Sequence, residues 1–236
     1  NIEIINKNNI VTEKLSEDFT NDNHSELLIN LATHYDPVPK NKIEENKIED
    51  ANVKFPIKLL KKIKNNIKVI NTSSYIQLLD EKYQIHYSRT KNIFLSYLIN
   101  SQIDYLNFYM FDTFGPYDYR NKVVDRFIKD ILLNKELNIP SNPISINLTH
   151  INRIVETISH FSENFMTGNY LLKSSDTILL EDLALKLMQI IGKKVNINKV
   201  GKQTNYIDMI HNKFDNILLS NDTILEKKLE MRINEI

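Results

Sequence analysis

Asn71-Thr72-Ser73-Ser74-Tyr75-Ile76-Gln77-Leu78-Leu79-Asp80-Glu81-Lys82-Tyr83-Gln84-Ile85-His86-Tyr87-Ser88-Arg89-Thr90-Lys91 is the stretch on which the reading turns. The run from Ile67 to Ile70 feeds into it, so a buried strand ends in the hydroxyls of Thr72, Ser73 and Ser74. After a short loop, Tyr87 to Lys91 opens an amphipathic segment. Tyr87 and Lys91 stand at i and i+4, on one face of a helix. A cation beside a phenol favours the phenolate and pulls the tyrosine pKa down from about 10. The pair is thus suited to proton transfer, and a hydroxyl from the strand end can hold the oxygen that the tyrosine protonates. The same spacing also fits an aromatic ring packed under a lysine stem that snorkels to water, so the pair acquires meaning only from its surroundings.

Working outward, strands and helices alternate. Leu27 to Ala32 is a continuous apolar run, as in a strand of a parallel sheet buried on both faces. Residues 43 to 64 read as a helix that Pro56 should kink or restart. The Tyr/Lys helix runs to about Ser101, and Tyr105 to Phe111 is the next strand. Upstream, residues 1 to 5 read as a strand remnant and 11 to 19 as a helix with Thr12 as N-cap. Downstream, helices are expected at Val123–Leu133, 151–161, Leu179–Ile191 (ended by Gly192 as C-cap) and Thr223–Ile236. Short strands are expected at Ile144–Leu148, Tyr170–Leu172 and Val195–Ile197. Such alternation predicts an α/β sheet with right-handed crossovers. Ligands bind beyond the carboxyl ends of strands in such sheets. Ala32, Ser74 and Asp112 all fall at predicted strand ends, so one pocket is expected to collect them.

Composition narrows the class. The 236 residues contain no cysteine, which excludes disulfides, thiol catalysis and Cys-based zinc sites. Thirty basic and thirty acidic residues cancel, which argues against a general nucleic-acid binder. The six histidines show no metal-ligand spacing. No apolar stretch approaches the ~20 residues of a membrane span, and the N-terminal residues lack a signal-peptide pattern. A cytoplasmic protein is the default expectation. Abundant Asn, Ile and Lys read as a compositional bias. The lysines from Lys58 to Lys68 read as a solvated helix face rather than a phosphate or nucleic-acid patch. The four glycines, Gly115, Gly168, Gly192 and Gly201, leave the first 114 residues without a phosphate-cradling loop.

With those elements placed, the chain resembles the extended short-chain dehydrogenase/reductase family, also called the NAD-dependent epimerase/dehydratase family. Asn30-Leu31-Ala32-Thr33 is similar to the strand end that passes beneath the cofactor, and Asp50-Ala51-Asn52-Val53 to the helix with the family's structural asparagine. Thr72-Ser73-Ser74, Tyr87 and Lys91 match the catalytic Ser/Tyr/Lys pattern. Phe114-Gly115-Pro116 resembles the opening of the substrate lobe. Within the family, Leu31 to Tyr35, Ile48 to Val53, Pro56 to Leu60, the short gap between Ser74 and Tyr87, and Gly115 to Asp118 with Lys122 are similar to CDP-abequose and CDP-paratose synthases.

The resemblance implies a Rossmann-like parallel sheet with helices on both faces, plus a smaller α/β substrate lobe. The first part, 1–114, would be a partial NAD(P)-binding domain and 115–236 mainly the substrate lobe, the two interleaved. It implies an NADP(H)- or NAD(H)-dependent 4-ketoreductase acting on a nucleotide sugar, a CDP-linked 4-keto sugar favoured, in surface-polysaccharide synthesis. Ser74, Tyr87 and Lys91 would be catalytic. Leu31, Ala32, Asn52, Thr72, Tyr87 and Lys91 would meet the cofactor, and Thr33, Ser74, Asp112, Arg120 and Lys122 the substrate. A homodimer through the helices near 43–64 and 86–101 is expected. An epimerase or dehydratase of the same family shares these groups. A non-catalytic homologue is the other reading, because the sequence departs from the pattern in three ways. The strand–glycine turn–helix unit is not among these residues, so either it lies outside the given sequence or the protein lacks it. Without that unit, the parallel sheet is expected to leave apolar surface exposed. Asp112 brings a carboxylate towards the substrate phosphates. Pro140 to His150 replaces the family's Arg-Asp nucleotide loop.

Overall fold

The computed structural model describes residues 2–6, 9–11, 26–63, 67–116, 118, 120–210, 216–220 and 225–234. The chain divides into two compact units, residues 1–110 with 158–171 and residues 111–157 with 172–236.

In the first unit, β1 (Ile2–Asn6) and β2 (Asn9–Val11) precede β3 (Leu27–Asn30). All four residues of β3 are buried, as a doubly covered strand requires. α1 (Lys42–Glu49) starts at Asn41, whose side chain accepts from the Glu44 amide. It passes through a π-helical turn, Asp50–Lys54, into α2 (Phe55–Lys62). Pro56 lacks an N–H and its ring crowds the preceding turn. The chain answers by widening rather than breaking, and Phe55 N–H bonds back to the Asp50 carbonyl, five residues away. The expected kink is therefore a π turn, and it points Asn52 inward, 1% exposed.

β4 (Lys68–Ser74) leads through two short 3-10 turns to α3 (His86–Asn100) and then β5 (Tyr105–Met110). β3, β4 and β5 are parallel and in register, with Asn30 opposite Asn71 and Asn71 opposite Asn107. The sheet departs from the all-parallel expectation at its N-terminal side. There β1 runs antiparallel along β3, Ile2 opposite Asn30 and Ile4 opposite Leu28, and β2 pairs antiparallel with β1. The edge of β3 is thus covered. Val69, Phe94, Leu98, Leu28, Leu59 and Leu60 form the core between this sheet and its helices. The helix expected over 11–19 lies outside the described residues, apart from Val11, which ends β2.

The second unit begins with β6 (Asp112–Phe114), a strand of its own rather than the end of β5. α4 (Val123–Leu132), β7 (Leu137–Ile139), β8 (Ser145–Ile146) and β9 (Leu148–His150) follow. Next come α5 (Ile151–Glu163) and β10 (Gly168–Ser174), whose residues 158–163 and 168–171 belong to the first unit, and then β11 (Ile178–Leu179) and α6 (Leu180–Ile191). β12 (Ile197–Lys199), α7 (Ile207–Ile210), β13 (Ile217–Ser220) and α8 (Leu225–Asn234) complete the chain. β6 pairs with β9 and β12 with β7, both parallel. Gly192 ends α6 in the left-handed region at φ 72°, with its own N–H and that of Lys193 closing on the Met188 carbonyl. The core of this unit is apolar, built from Phe114, Phe127, Ile128, Ile131, Leu137, Leu183 and Leu187. No helix among the described residues is long and apolar enough to cross a membrane.

Candidate active site

The first unit carries the side chains of Ser74, Tyr87 and Lys91. Ser74 ends β4 half-buried and caps the following 3-10 turn, its amide donating to Gln77 Oε1 at 2.9 Å. Tyr87 stands in the first turn of α3 and is buried. Lys91, one turn on, is 2% exposed, with its Nζ 6.0 Å from the Tyr87 ring centre. Nζ donates to the Thr72 carbonyl at 3.0 Å. Burial disfavours the ammonium and lowers the Lys91 pKa from 10.5 to about 8. An ammonium has three donors. Among the described residues, Thr72 O is the one hydrogen-bond acceptor it meets. The remaining N–H groups suit a ligand bearing hydroxyl oxygens.

Around this group, Thr72 donates to the Asn30 carbonyl at 3.0 Å, which ties β4 to β3. Leu31 is half-buried, Ala32 buried and Thr33 exposed on the chain leaving β3. Asn52 is engaged within the protein. Its Oδ1 accepts from His34 N at 2.9 Å, and its Nδ2 donates to His34 O at 3.3 Å and Thr90 Oγ1 at 3.1 Å. Its task in this geometry is to fix the chain after β3 against α3.

The second unit holds the charged cluster. Arg120 forks onto Asp118, Nε to Oδ1 and a terminal nitrogen to Oδ2, both at 2.7 Å. Lys122 donates to Thr113 Oγ1 at 3.3 Å. Burial raises the Asp112 pKa, while Lys122 and Arg120 pull it back. Burial likewise lowers that of Lys122, helped by Arg120 and opposed by Asp112. A cleft of about 390 Å³ opens here, lined by Thr113, Phe114, Gly115, Pro116, Asp118, Arg120 and Ile151. A Cβ on Gly115 would lie 2.4 Å from Ile151 Cγ2, so only glycine lets this wall close.

No family model matches the chain. CDP-abequose synthase of Yersinia pseudotuberculosis is 27% identical over 143 residues, 56% of this chain and 50% of that protein. The match thus spans half the length of the curated relative. UDP-N-acetylglucosamine 4-epimerase from Methanobrevibacter ruminantium M1, solved with UDP-N-acetylmuramic acid, superposes with a TM-score of 0.71 over 90% of this chain and 76% of its own, at 19% identity. UDP-glucuronic acid 4-epimerase from Bacillus cereus, solved with UDP-glucuronic acid and NAD, gives 0.70 over 89% and 75%, at 18% identity. The fold is that of the NAD-dependent epimerases and dehydratases.

The resemblance to that epimerase/dehydratase family read from the sequence is therefore supported by two separate comparisons. Two features of the site were absent from the sequence reading. Asp118 holds the guanidinium that was assigned to phosphate, although its place two residues before Arg120 was a signal. Tyr35 also meets Tyr87 edge to face, ring centres 4.9 Å apart at 85°. Among the described residues no group of three or more His, Asp or Glu could hold a metal.

Proposed function

We propose that this chain carries the proton-transfer half of a nicotinamide-dependent nucleotide-sugar 4-ketoreductase. The observation that carries the reading is Lys91, an almost fully buried amine with its pKa lowered to about 8, one helical turn from Tyr87. A buried charge without a carboxylate partner is costly, and perturbed groups of this kind cluster at functional sites.

A bound reduced nicotinamide would supply hydride to the C4 carbonyl carbon of the sugar. Tyr87 gives its phenolic proton to the carbonyl oxygen as general acid. Lys91, as ammonium, stabilises the phenolate left behind, and its free N–H groups suit the nicotinamide ribose hydroxyls. Ser74 donates to the developing oxyanion. Leu31, Ala32 and Thr72 form the adjoining wall for the cofactor. In the second unit, Lys122 and Arg120 are the cations for the diphosphate. The Asp118 fork on Arg120 shifts that role towards Lys122. Burial raises the Asp112 pKa, against the pull of Lys122 and Arg120. The CDP-abequose synthase match favours a CDP-linked substrate.

The test is a titration of the protein with NADPH and NADH by nucleotide fluorescence, followed by turnover of CDP- and dTDP-4-keto-6-deoxy sugars. Saturable binding and a C4 alcohol product are expected, and Tyr87→Phe should lower kcat by about 10²–10⁴. An unchanged kcat in Tyr87→Phe would sink the mechanism. A C4-inverted product from a C4-hydroxy nucleotide sugar, without net cofactor consumption, would make the chain an epimerase. The rate should hold below the Lys91 pKa of about 8 and fall above it, as the ammonium that supports the phenolate is lost.

A further inference from the structure

We infer that Tyr35 is a positioning residue for the Tyr87 phenol. The inference rests on the catalytic reading of Tyr87 for its kinetic consequence, but not for its geometry.

A helix fixes the Cα of Tyr87 but not its ring. The phenol oxygen lies on the axis of the terminal torsion, so the first torsion decides where it points, and neighbours decide which of its staggered wells is held. Tyr87 stands in the first turn of α3, whose N-cap Ile85 supplies no side-chain bond. Tyr35 provides such a neighbour, packed edge to face at 4.9 Å and 85°.

Tyr35 sits in the irregular segment after β3 and is 39% exposed. An exposed ring on an irregular segment would ordinarily be a poor guide for another residue. Here the preceding residue is clamped. Asn52 binds both backbone groups of His34 and passes its second donor to Thr90 Oγ1. Thr90 in turn donates to the Tyr87 carbonyl at 2.7 Å. Backbone and ring contacts therefore join residues 34 and 35 to Tyr87 by two routes, one polar and buried, the other aromatic. Each fixes what the other leaves free. The Asn52 chain sets the separation of the two segments, and the Tyr35 edge holds the Tyr87 ring in one side-chain rotamer.

The test uses Tyr35→Ala, Tyr35→Leu and Tyr35→Phe in the protein labelled with ¹³Cζ-tyrosine, the Tyr87 signal being identified by its loss in Tyr87→Phe. Two readouts are followed: the position and width of that signal without cofactor, and kcat and KM with NADPH and a CDP-4-keto-6-deoxy sugar. Tyr35→Ala and Tyr35→Leu should shift or broaden the Tyr87 signal and lower kcat about tenfold with little change in KM, since misplacement of a reacting group acts on the transition state. Tyr35→Phe keeps the ring and should recover both. An unchanged Tyr87 signal in Tyr35→Ala and Tyr35→Leu overturns the inference, as does Tyr35→Phe behaving like Tyr35→Ala. If Tyr35→Ala fails to fold, Tyr35→Leu against Tyr35→Phe decides. If the parent protein turns over no sugar, the proposed function fails, while the signal still decides the role of Tyr35.

Discussion

Two of the buried cationic side chains are handled in opposite ways. In the second unit, Arg232 of α8 meets Asp125 of α4 through two parallel bonds, both 2.9 Å, with the side chains 8% and 3% exposed. In the first unit, Lys91 is equally hidden, yet it meets one backbone carbonyl and the face of a ring. The first arrangement satisfies its charge inside the protein and ties two helices distant in sequence. The second leaves its charge only partly satisfied, which suits a group that meets a ligand. Burial alone therefore does not separate structural cations from functional ones; the completeness of the partner set does.

The largest expected effect breaks the satisfied pair. Asp125→Ala takes the carboxylate away from a buried guanidinium, and should destabilise the protein by about 3–5 kcal/mol, read as a lower urea midpoint. Replacing both partners by apolar residues of similar volume should recover most of that loss, because the penalty comes from removing one side of a buried pair rather than from absence of the pair.

Lys91 should behave with the opposite sign. Its fall from 10.5 to about 8 corresponds to about 3 kcal/mol against folding at neutral pH, at about 1.4 kcal/mol per unit. Lys91→Met removes that penalty and orphans the Thr72 carbonyl, which takes back about 1 kcal/mol. A net gain of about 2 kcal/mol at pH 7 is expected, with activity lost. The sign with pH follows from proton counts. Between pH 8 and 10.5 the unfolded chain binds the Lys91 proton and the folded chain does not. Stability from this group therefore rises across that window, is complete above 10.5 and is absent below 8. Urea midpoints at pH 7 and above 10 should show the Lys91→Met advantage shrinking. An advantage independent of pH would mean that packing, not charge, is responsible.

How much of this was legible depends on how far apart the interacting residues lie. Tyr87 and Lys91 were readable because helical periodicity joins them, and Ser74 because it ends an apolar run. Pro56 announced a disturbance in its helix, but only the fold shows a π turn that aims Asn52 inward. Asp125 and Arg232 lie 107 residues apart, and no local pattern connects them. The asparagines misled in a different way. Their abundance reads as composition, whereas Asn30, Asn71 and Asn107 stand side by side across three strands. Their meaning lies in strand register, which a single sequence does not display.

That register gives the smallest and most discriminating prediction, a buried polar group that carries no charge. Asn30 donates to Asn71 at 2.9 Å, Asn71 to Asn107 at 2.7 Å, and Asn107 to Asn169 at 3.1 Å, which ends on the Tyr105 hydroxyl at 3.3 Å. Ser73 also donates to Asn107 Oδ1 at 2.7 Å. The ladder lies on the strand that presents Thr72 and Ser74, so its register and theirs are one. Asn107→Leu orphans the Asn71 and Ser73 donors but adds apolar burial, for a net loss of about 1 kcal/mol. Asn71→Leu should lose a similar amount. The double variant should lose less than the two singles together, since the bond between them is then removed once rather than twice. Strict additivity in urea midpoints would mean that the amides act one by one. Coupling would make the ladder a cooperative network, an uncharged counterpart of the Asp125–Arg232 pair and the opposite of Lys91.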